Sequence, residues 1–209
     1  MSQSEAKHDD AGAGPTVAGV VLAAGRSRRM GQPKPLLQVG GESFISHAVA
    51  TLVHGGCRPV FAVTAADATE AARQAESAGA RVVLNAEPES EQIDSLRLAL
   101  AAADNADAIL VLPVDHPLIR TDTVSALIRA FADTGHPAVR ARFRGKSGHP
   151  ALFARSLFSE LKGPLSEGAQ EVLGRHADEL LDVDVDDPGV LSDIDTPDDL
   201  RRHLGGTPS

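Results

Sequence analysis

The chain has 209 residues and a formal net charge of -9, with 42% hydrophobic and 23% charged residues. This suits one α/β domain of ordinary size with a sizeable core, and the acidic balance excludes the basic face of a nucleic-acid binder. With no Trp or Tyr, stacking platforms for single-stranded bases are missing as well. Residues 1–15 are polar, lack an apolar run, and read as a disordered leader rather than a signal peptide. Residues 16–209 are expected to form a single domain. Val17 to Ala23 is a β-branched, nearly continuous apolar run, as in a strand buried on both faces. Ser43 to Val53 places Phe44, Ile45, Ala48, Val49 and Leu52 on one helical face, with Ser43 as N-cap. Pro59 to Thr64 reads as a strand, Ala66 to Ala78 as an Ala-rich helix stopped by Gly79, and Arg81 to Leu84 as a third strand.

Glu91 to Ala103 has helical spacing, and Ala108 to Pro113 is a fourth buried strand. Thr121 to Ala132 is a helix with Thr121 as its expected cap. Ala138 to Phe143 and Ala151 to Phe153 are strands flanking a glycine-rich turn, Gly145 to Pro150. Short helices over Ser156 to Lys162 and Glu167 to His176, a strand over Leu180 to Val185 and a helix over Thr196 to Leu204 complete the series. Strands alternating with helices imply βαβ units around a mostly parallel sheet. No stretch reaches the ~20 apolar residues of a membrane span. Cys57 is the only cysteine, so neither an internal disulfide nor a cysteine-based zinc site can form. A cytoplasmic location with no membrane partner is expected.

The most informative segment runs from Leu22 to Leu37, directly after the first strand. Ligands of open α/β sheets bind beyond the carboxyl ends of strands, and Gly25 and Gly31 permit close backbone approach to a phosphate. From Gly25 to Lys34 there are four basic residues and no acid, which suits a triphosphate; a solvated basic loop would have the same composition. Pro33 and Pro35 are expected to hold Lys34 extended. The segment is neither a Walker A motif nor a dinucleotide fingerprint, which argues against an NAD-dependent dehydrogenase.

Leu22-Ala23-Ala24-Gly25, Ser27, Arg29-Met30-Gly31, Lys34 and Leu36-Leu37 together resemble the signature of nucleotidyltransferases that attach a nucleotide to molybdopterin. They are most similar to the branch called molybdenum cofactor cytidylyltransferase. The resemblance implies a Rossmann-like nucleotidyltransferase fold with helices on both faces of the sheet. It implies NTP bound on Leu22, Ala23, Ala24, Gly25, Ser27 and Gly31, with Lys34 and Arg29 neutralising phosphate charge. Arg26 and Arg28 stand at variable positions. Ala24 lies where guanylyl-transferring relatives have Gly, which favours CTP over GTP.

Asp115, in Val114-Asp115-His116-Pro117, follows a buried strand and suits a Mg²⁺ ligand; the lesser alternative is a helix N-cap or turn residue before Pro117. The resemblance assigns it to the metal. Asp195, in Ser192-Asp193-Ile194-Asp195-Thr196-Pro197, is the second implied ligand or else a helix cap, with Asp193 a weaker candidate. From Glu179 to Asp199 there are nine acids and no base, a composition that by default reads as a solvated face. Gly148-His149-Pro150 resembles a motif near the acceptor, making His149 and Lys146 acceptor contacts; a lone turn histidine can also be structural. Asn85 and Ser95 keep the family's types and are candidate nucleotide contacts or helix-start residues. Glu91-Gln92 and Asp94-Ser95-Leu96 depart from the family's Gly-Met and Ser-Ser-Leu, adding carboxylates that would repel an anion. The partners implied are an NTP, a phosphorylated small-molecule acceptor and a molybdoenzyme client. The alternatives are a GTP-using or sugar-phosphate-using relative and a non-catalytic carrier of nucleotide or cofactor.

Overall fold

The computed structural model describes residues 14–25, 31–87 and 91–204. Most of the expected leader, and Arg26, Ser27, Arg28 and Arg29, lie outside the described residues.

In chain order the elements are β1 (Val17–Ala23), β2 (Gln38–Val39), β3 (Glu42–Ser43), α1 (Phe44–His54), β4 (Val60–Ala65), α2 (Thr69–Ser77), β5 (Arg81–Asn85), α3 (Gln92–Ala102), β6 (Ala108–Pro113), α4 (Thr121–Thr134), β7 (Ala138–Phe143), β8 (Lys146–Ala154), α5 (Phe158–Lys162), α6 (Ala169–Arg175), β9 (Leu180–Asp184) and α7 (Pro197–Leu204). Seven strands form one sheet in the order β5-β4-β1-β6-β8-β7-β9, and β2 and β3 form a separate small ribbon. The pairs β4–β5, β1–β4, β1–β6 and β7–β9 are parallel, while β8 is antiparallel to both β6 and β7. The sheet is thus mostly parallel, with β8 running against the rest. Both faces are covered. Val17, Val21 and Ala23 of β1 pack toward α1, α2 and α4, and Ala18, Val20 and Leu22 pack toward α3, α5 and α6. Every residue of β1 and β6 is buried, which is why these runs read as unbroken apolar stretches rather than alternating ones.

Ser43 caps α1 as expected, its Oγ accepting from the Ser46 N–H. Three expectations are corrected. Thr121 is the first residue of α4 and not its cap; Arg120 holds the cap position and makes no side-chain capping bond. The glycine-rich turn shrinks to Arg144 and Gly145, with φ of 50° and 77°. These positive values at both central residues suit a tight hairpin turn, so Ser147, Gly148 and His149 belong to β8. The Lys34 segment is not extended but opens a 3-10 turn over Lys34–Leu36, because the φ that Pro35 fixes also fits that turn.

The acidic run is mostly spoken for. Arg140 pairs with Asp182 at 2.9 Å and Arg142 with Asp184 at 2.8 and 2.7 Å, which fastens β9 to β7. Asp199 accepts from the Thr196 N–H at 2.9 Å while the Thr196 hydroxyl caps the Asp199 N–H at 3.2 Å, so the start of α7 is capped without Asp195. Cys57 is buried and unpaired, its thiol pushed up to about 12 by that burial, which leaves it a core residue rather than a nucleophile. Among the described residues no helix is long and apolar enough to cross a membrane.

Candidate functional site

At the carboxyl edge of the parallel strands three segments converge. The first follows β1 and carries Ala24, Gly25, Gly31 and Lys34. Gly31 has a φ of 70°, in the left-handed region that favours glycine. The second follows β6 and carries Asp115 and His116. The third precedes α7 and carries Asp193 and Asp195. A backbone hydrogen bond from the Ile194 N–H to the Asp115 carbonyl, at 2.8 Å, ties the last two together.

The Lys34 ammonium lies between the carboxylates, 2.5 Å from Asp195 Oδ1 and 3.4 Å from Asp115 Oδ2. Lys34, Asp115 and Asp195 are far apart in sequence and close in space. Asp115 Oδ1 is out of solvent and makes no hydrogen bond to any described residue. Two carboxylates on either side of a cationic side chain suit a hard divalent ion, since Mg²⁺ takes one or two carboxylates plus phosphate oxygens and keeps several waters. Among the described residues no group of three or more His, Cys, Asp and Glu side chains is arranged to hold a metal, so the described side chains alone would not complete such a site.

Because β8 runs against its neighbours, its first half lies at this same edge. β6 and β8 pair with Val111 opposite Ala151, and continuing that register sets His149 opposite Pro113. The His149 and His116 rings lie 4.7 Å apart. Burial lowers the pKa of His116, partly offset by Asp115 and Asp193. Burial and the neighbouring His116 push His149 down to about 4. Both rings are therefore neutral near pH 7. Gly148 lets β8 approach this region closely, since a Cβ there would lie 2.1 Å from the Val190 carbonyl oxygen. The turn over Pro188–Leu191 is held by Asp187, which accepts from Arg120 N, Thr123 Oγ1 and Gly189 N at 2.9, 2.6 and 2.9 Å.

Three cavities run side by side along the edge. The largest, about 900 Å³, is bounded by Ala23 to Gly25, by Gly31 to Pro33 with Pro35 and Leu36, and by the ends of β4 and β5, including Asn85. The middle one, about 160 Å³, is lined by Leu22, Ala24, Lys34, Glu91, Ser95 and Asp115, among others. The third, also about 160 Å³, includes His149. Ala24 and Gly25 line the first two, while Leu22, Gln92 and Pro113 line the second and third. Asn85 and Ser95 are both buried and bonded to each other at 3.0 Å. Lys146 is exposed at the hairpin and lines none of the three cavities.

The departure at Glu91–Asp94 has a local explanation. The Asp94 carboxylate accepts from the Glu91 N–H at 3.1 Å and pairs with Arg97 at 2.8 Å, closing a reciprocal cap at the start of α3. Asp94 lines none of the three cavities, and only Glu91 of the two lines the middle one. Gln92, which stands out in the sequence only as part of the departure from Gly-Met, borders two cavities, and Glu167 and Gln170 beside α6 line the third without any mark in the sequence. No motif marks Glu167 and Gln170, because their position depends on how α6 packs against α3.

A family model described as the MobA-like NTP transferase domain matches residues 19–180. The chain is 30% identical to a nicotine blue oxidoreductase of Paenarthrobacter nicotinovorans, over 91% of this chain and 97% of that protein. It is 31% identical to the purine catabolism protein PucB of Bacillus subtilis, over 91% and 98%. Among solved structures, Rv0371c of Mycobacterium tuberculosis superposes with a TM-score of 0.78 and 29% identity, over 93% of this chain and 100% of that one; Rv0371c has also been crystallised in complex with manganese. The family match runs from within β1 to the first residue of β9 and covers well over half of the sequence, so the chain belongs to the family of MobA-like NTP transferase domains.

Proposed function

We propose that the chain is a Mg²⁺-dependent cytidylyltransferase. It would transfer CMP from CTP to the phosphate of a pterin acceptor, that of the molybdenum cofactor, and release pyrophosphate in the cytoplasm for the benefit of a molybdoenzyme client. The observation that carries this reading is the position of Lys34. The glycine loop delivers its ammonium to two strand-edge carboxylates, at 2.5 and 3.4 Å. That juxtaposition suits a triphosphate and a divalent cation held together.

In the reaction an acceptor phosphate oxygen forms a bond to the α-phosphorus. The bond from that phosphorus to the bridging oxygen breaks, and the electron pair leaves with pyrophosphate. No side-chain nucleophile is needed, so the chain's work is positioning and charge stabilisation. Lys34 neutralises the triphosphate, joined by Arg29. Asp115 and Asp195 are the residues that would hold Mg²⁺, which when bound would offset charge on the departing group. Gly25 and Gly31, with Ser27, would cradle the phosphates, while Leu22, Ala23, Ala24, Asn85 and Ser95 border the nucleoside. Ala24 lines both cavities beside the glycine segment, and the resemblance sets it where guanylyl-transferring relatives have Gly; this supports cytosine over guanine.

Pyrophosphate release measured with each NTP at equal concentration, with molybdopterin as acceptor, tests the reading. A clear preference for GTP would overturn the choice of base and leave the reaction class intact. Absence of release with every NTP would overturn the reaction class. The similarity to a nicotine blue oxidoreductase favours a second reading, an oxidation–reduction of nicotine blue. The same preparation incubated with nicotine blue and a reduced nicotinamide cofactor tests it, loss of the blue colour being the supporting result and an unchanged colour the refuting one.

A further inference from the structure

The two ends of the seven-strand sheet are β5 and β9, and they are built differently. β9 carries Asp182 and Asp184 within the strand, charges of the kind that blunt an edge against pairing with another strand. β5 has only Val82, Val83 and Leu84 between Arg81 and Asn85. No described strand lies beyond it. Leu84 is 56% exposed. Leu98 of α3 is exposed too, one helical turn after the Ser95 that bonds Asn85. Two of the three large apolar side chains exposed among the described residues therefore lie on β5 or on the helix beside it.

The backbone shows which groups this edge offers. The Asn85 carbonyl accepts from the Ala66 N–H at 3.0 Å, so Asn85 faces the β4 side. Val83 and Arg81 face the same way by alternation. Val82 and Leu84 then turn their N–H and C=O groups outward. Carried on to Ala86, the alternation turns that residue's groups outward as well. Glu87 precedes Pro88, which favours extended backbone there.

We infer that the β5 edge pairs with the β5 edge of a second copy of this chain, antiparallel and about a two-fold axis at Leu84. In that register Leu84 meets Leu84 and Val82 meets Ala86, and each pair can exchange N–H···O=C bonds. Arg81 of one copy stands opposite Glu87 of the other, once on each side of the axis. Both side chains are exposed, and neither joins an ion pair with another described residue. Moving the axis to Val82 or Val83 sets Arg81 against Val83 or Asn85 and loses the match. One edge supplies both halves of the charge pair, as an isologous interface requires, so the partner is a copy of this chain rather than an unrelated strand. Asn85, Ala86 and Glu87 also line the largest cavity. The pairing thus brings Arg81 of the second copy to the rim of that cavity. The inference stands on the edge alone and is independent of the nucleotidyl-transfer reading.

Sedimentation velocity of the full chain over a concentration series, without ligand, tests it. Interference optics are used because the chain lacks Trp and Tyr. The wild type is expected to pass from monomer to dimer as concentration rises. Arg81→Glu and Glu87→Arg each exchange attraction for repulsion on both sides of the axis. Each should raise the dimer dissociation constant about tenfold or more. The double variant restores opposite charges and should return close to the wild-type value. Leu84→Asp sets two like charges at the axis and should leave the monomer. Circular dichroism melts check that each variant is folded. A wild type that stays monomeric throughout, a dimer that none of the variants weakens, or a double variant no tighter than the single ones overturns the inference.

Discussion

Replacing Asp187 with Ala removes one acceptor from three donors at once. The carboxylate is 2% exposed and lies between two helical starts. It takes the Arg120 N–H and the Thr123 hydroxyl of α4 at 2.9 and 2.6 Å, and the Gly189 N–H of the Pro188–Leu191 turn at 2.9 Å. A buried donor left unpaired costs about 1–3 kcal/mol, and the Thr123 hydroxyl can rotate toward another acceptor, so a net loss of about 3–5 kcal/mol is expected. For a chain of this size each kcal/mol moves Tm by about 2–4 °C, giving a fall on the order of 10 °C. Asp187→Asn keeps the shape and one acceptor oxygen but loses the charge-assisted strength, and is expected to lose about half as much. Thermal melts followed by circular dichroism read both variants, since the chain lacks Trp and Tyr. The same turn leads into Ile194 and Asp195, so the Mg²⁺ concentration for half-maximal activity should rise in the Asn variant even at temperatures where it stays folded. A Tm for Asp187→Ala within about 2 °C of the wild type, against the 2–4 °C that a single kcal/mol would produce, would refute the reasoning.

Lys34→Ala should lose about 3 kcal/mol of transition-state stabilisation, as when one electrostatic donor is removed; kcat/KM for the NTP near the wild-type value would exclude its role. Asp115→Asn and Asp195→Asn should each abolish most activity at saturating Mg²⁺, the second with a rise in the Mg²⁺ requirement, and a variant with unchanged Mg²⁺ dependence is not a ligand. Without metal neither Asn variant should gain stability, because the Lys34 ammonium already stands between the carboxylates at 2.5 and 3.4 Å and removing either charge weakens an attraction as well as a repulsion. The His176 Nε2–H donates to the Glu160 carboxylate at 2.8 Å, and that bond raises the His176 pKa above 6.5. The folded state therefore holds the proton more tightly than the unfolded one. The resulting stability is present below pH 6.5 and is lost as pH rises through the raised folded value. The difference in Tm between wild type and His176→Gln should shrink over that range, and a constant difference would remove His176 as its source.

Much of the fold was legible because the central strands are buried on both faces and leave unbroken apolar runs, as in β1 and β6. Ser43 was legible as a cap because its oxygen acts within its own turn. The start of β8 was not. Gly145, Gly148 and Pro150 read as turn residues, and what makes Lys146 to Pro150 a strand is pairing with β7, which local composition does not encode. Thr121 was misplaced for a similar reason, since the buried carboxylate at the start of α4 comes from Asp187 near the other end of the chain. In the site, Lys34, Asp115 and Asp195 stood in motifs and converge in space. Glu91 and Asp94 read as charge added to the cleft, whereas Asp94 is engaged at the start of α3. Glu167 and Gln170 carried no signal, because a cavity wall made by two helices has no spacing rule.

The Lys34 ammonium between Asp115 and Asp195 acts as a tethered counter-ion, and any cation that the two carboxylates take up must compete with it. A free divalent ion then gains only the difference between its own attraction and that of a lysine already in place. A triphosphate changes the balance, because it offers the ammonium another set of oxygens to neutralise. Metal and nucleotide should therefore favour each other's binding, each lowering the other's dissociation constant by the same factor. The protein alone would hold the ion weakly, and the pair would be taken up as a unit.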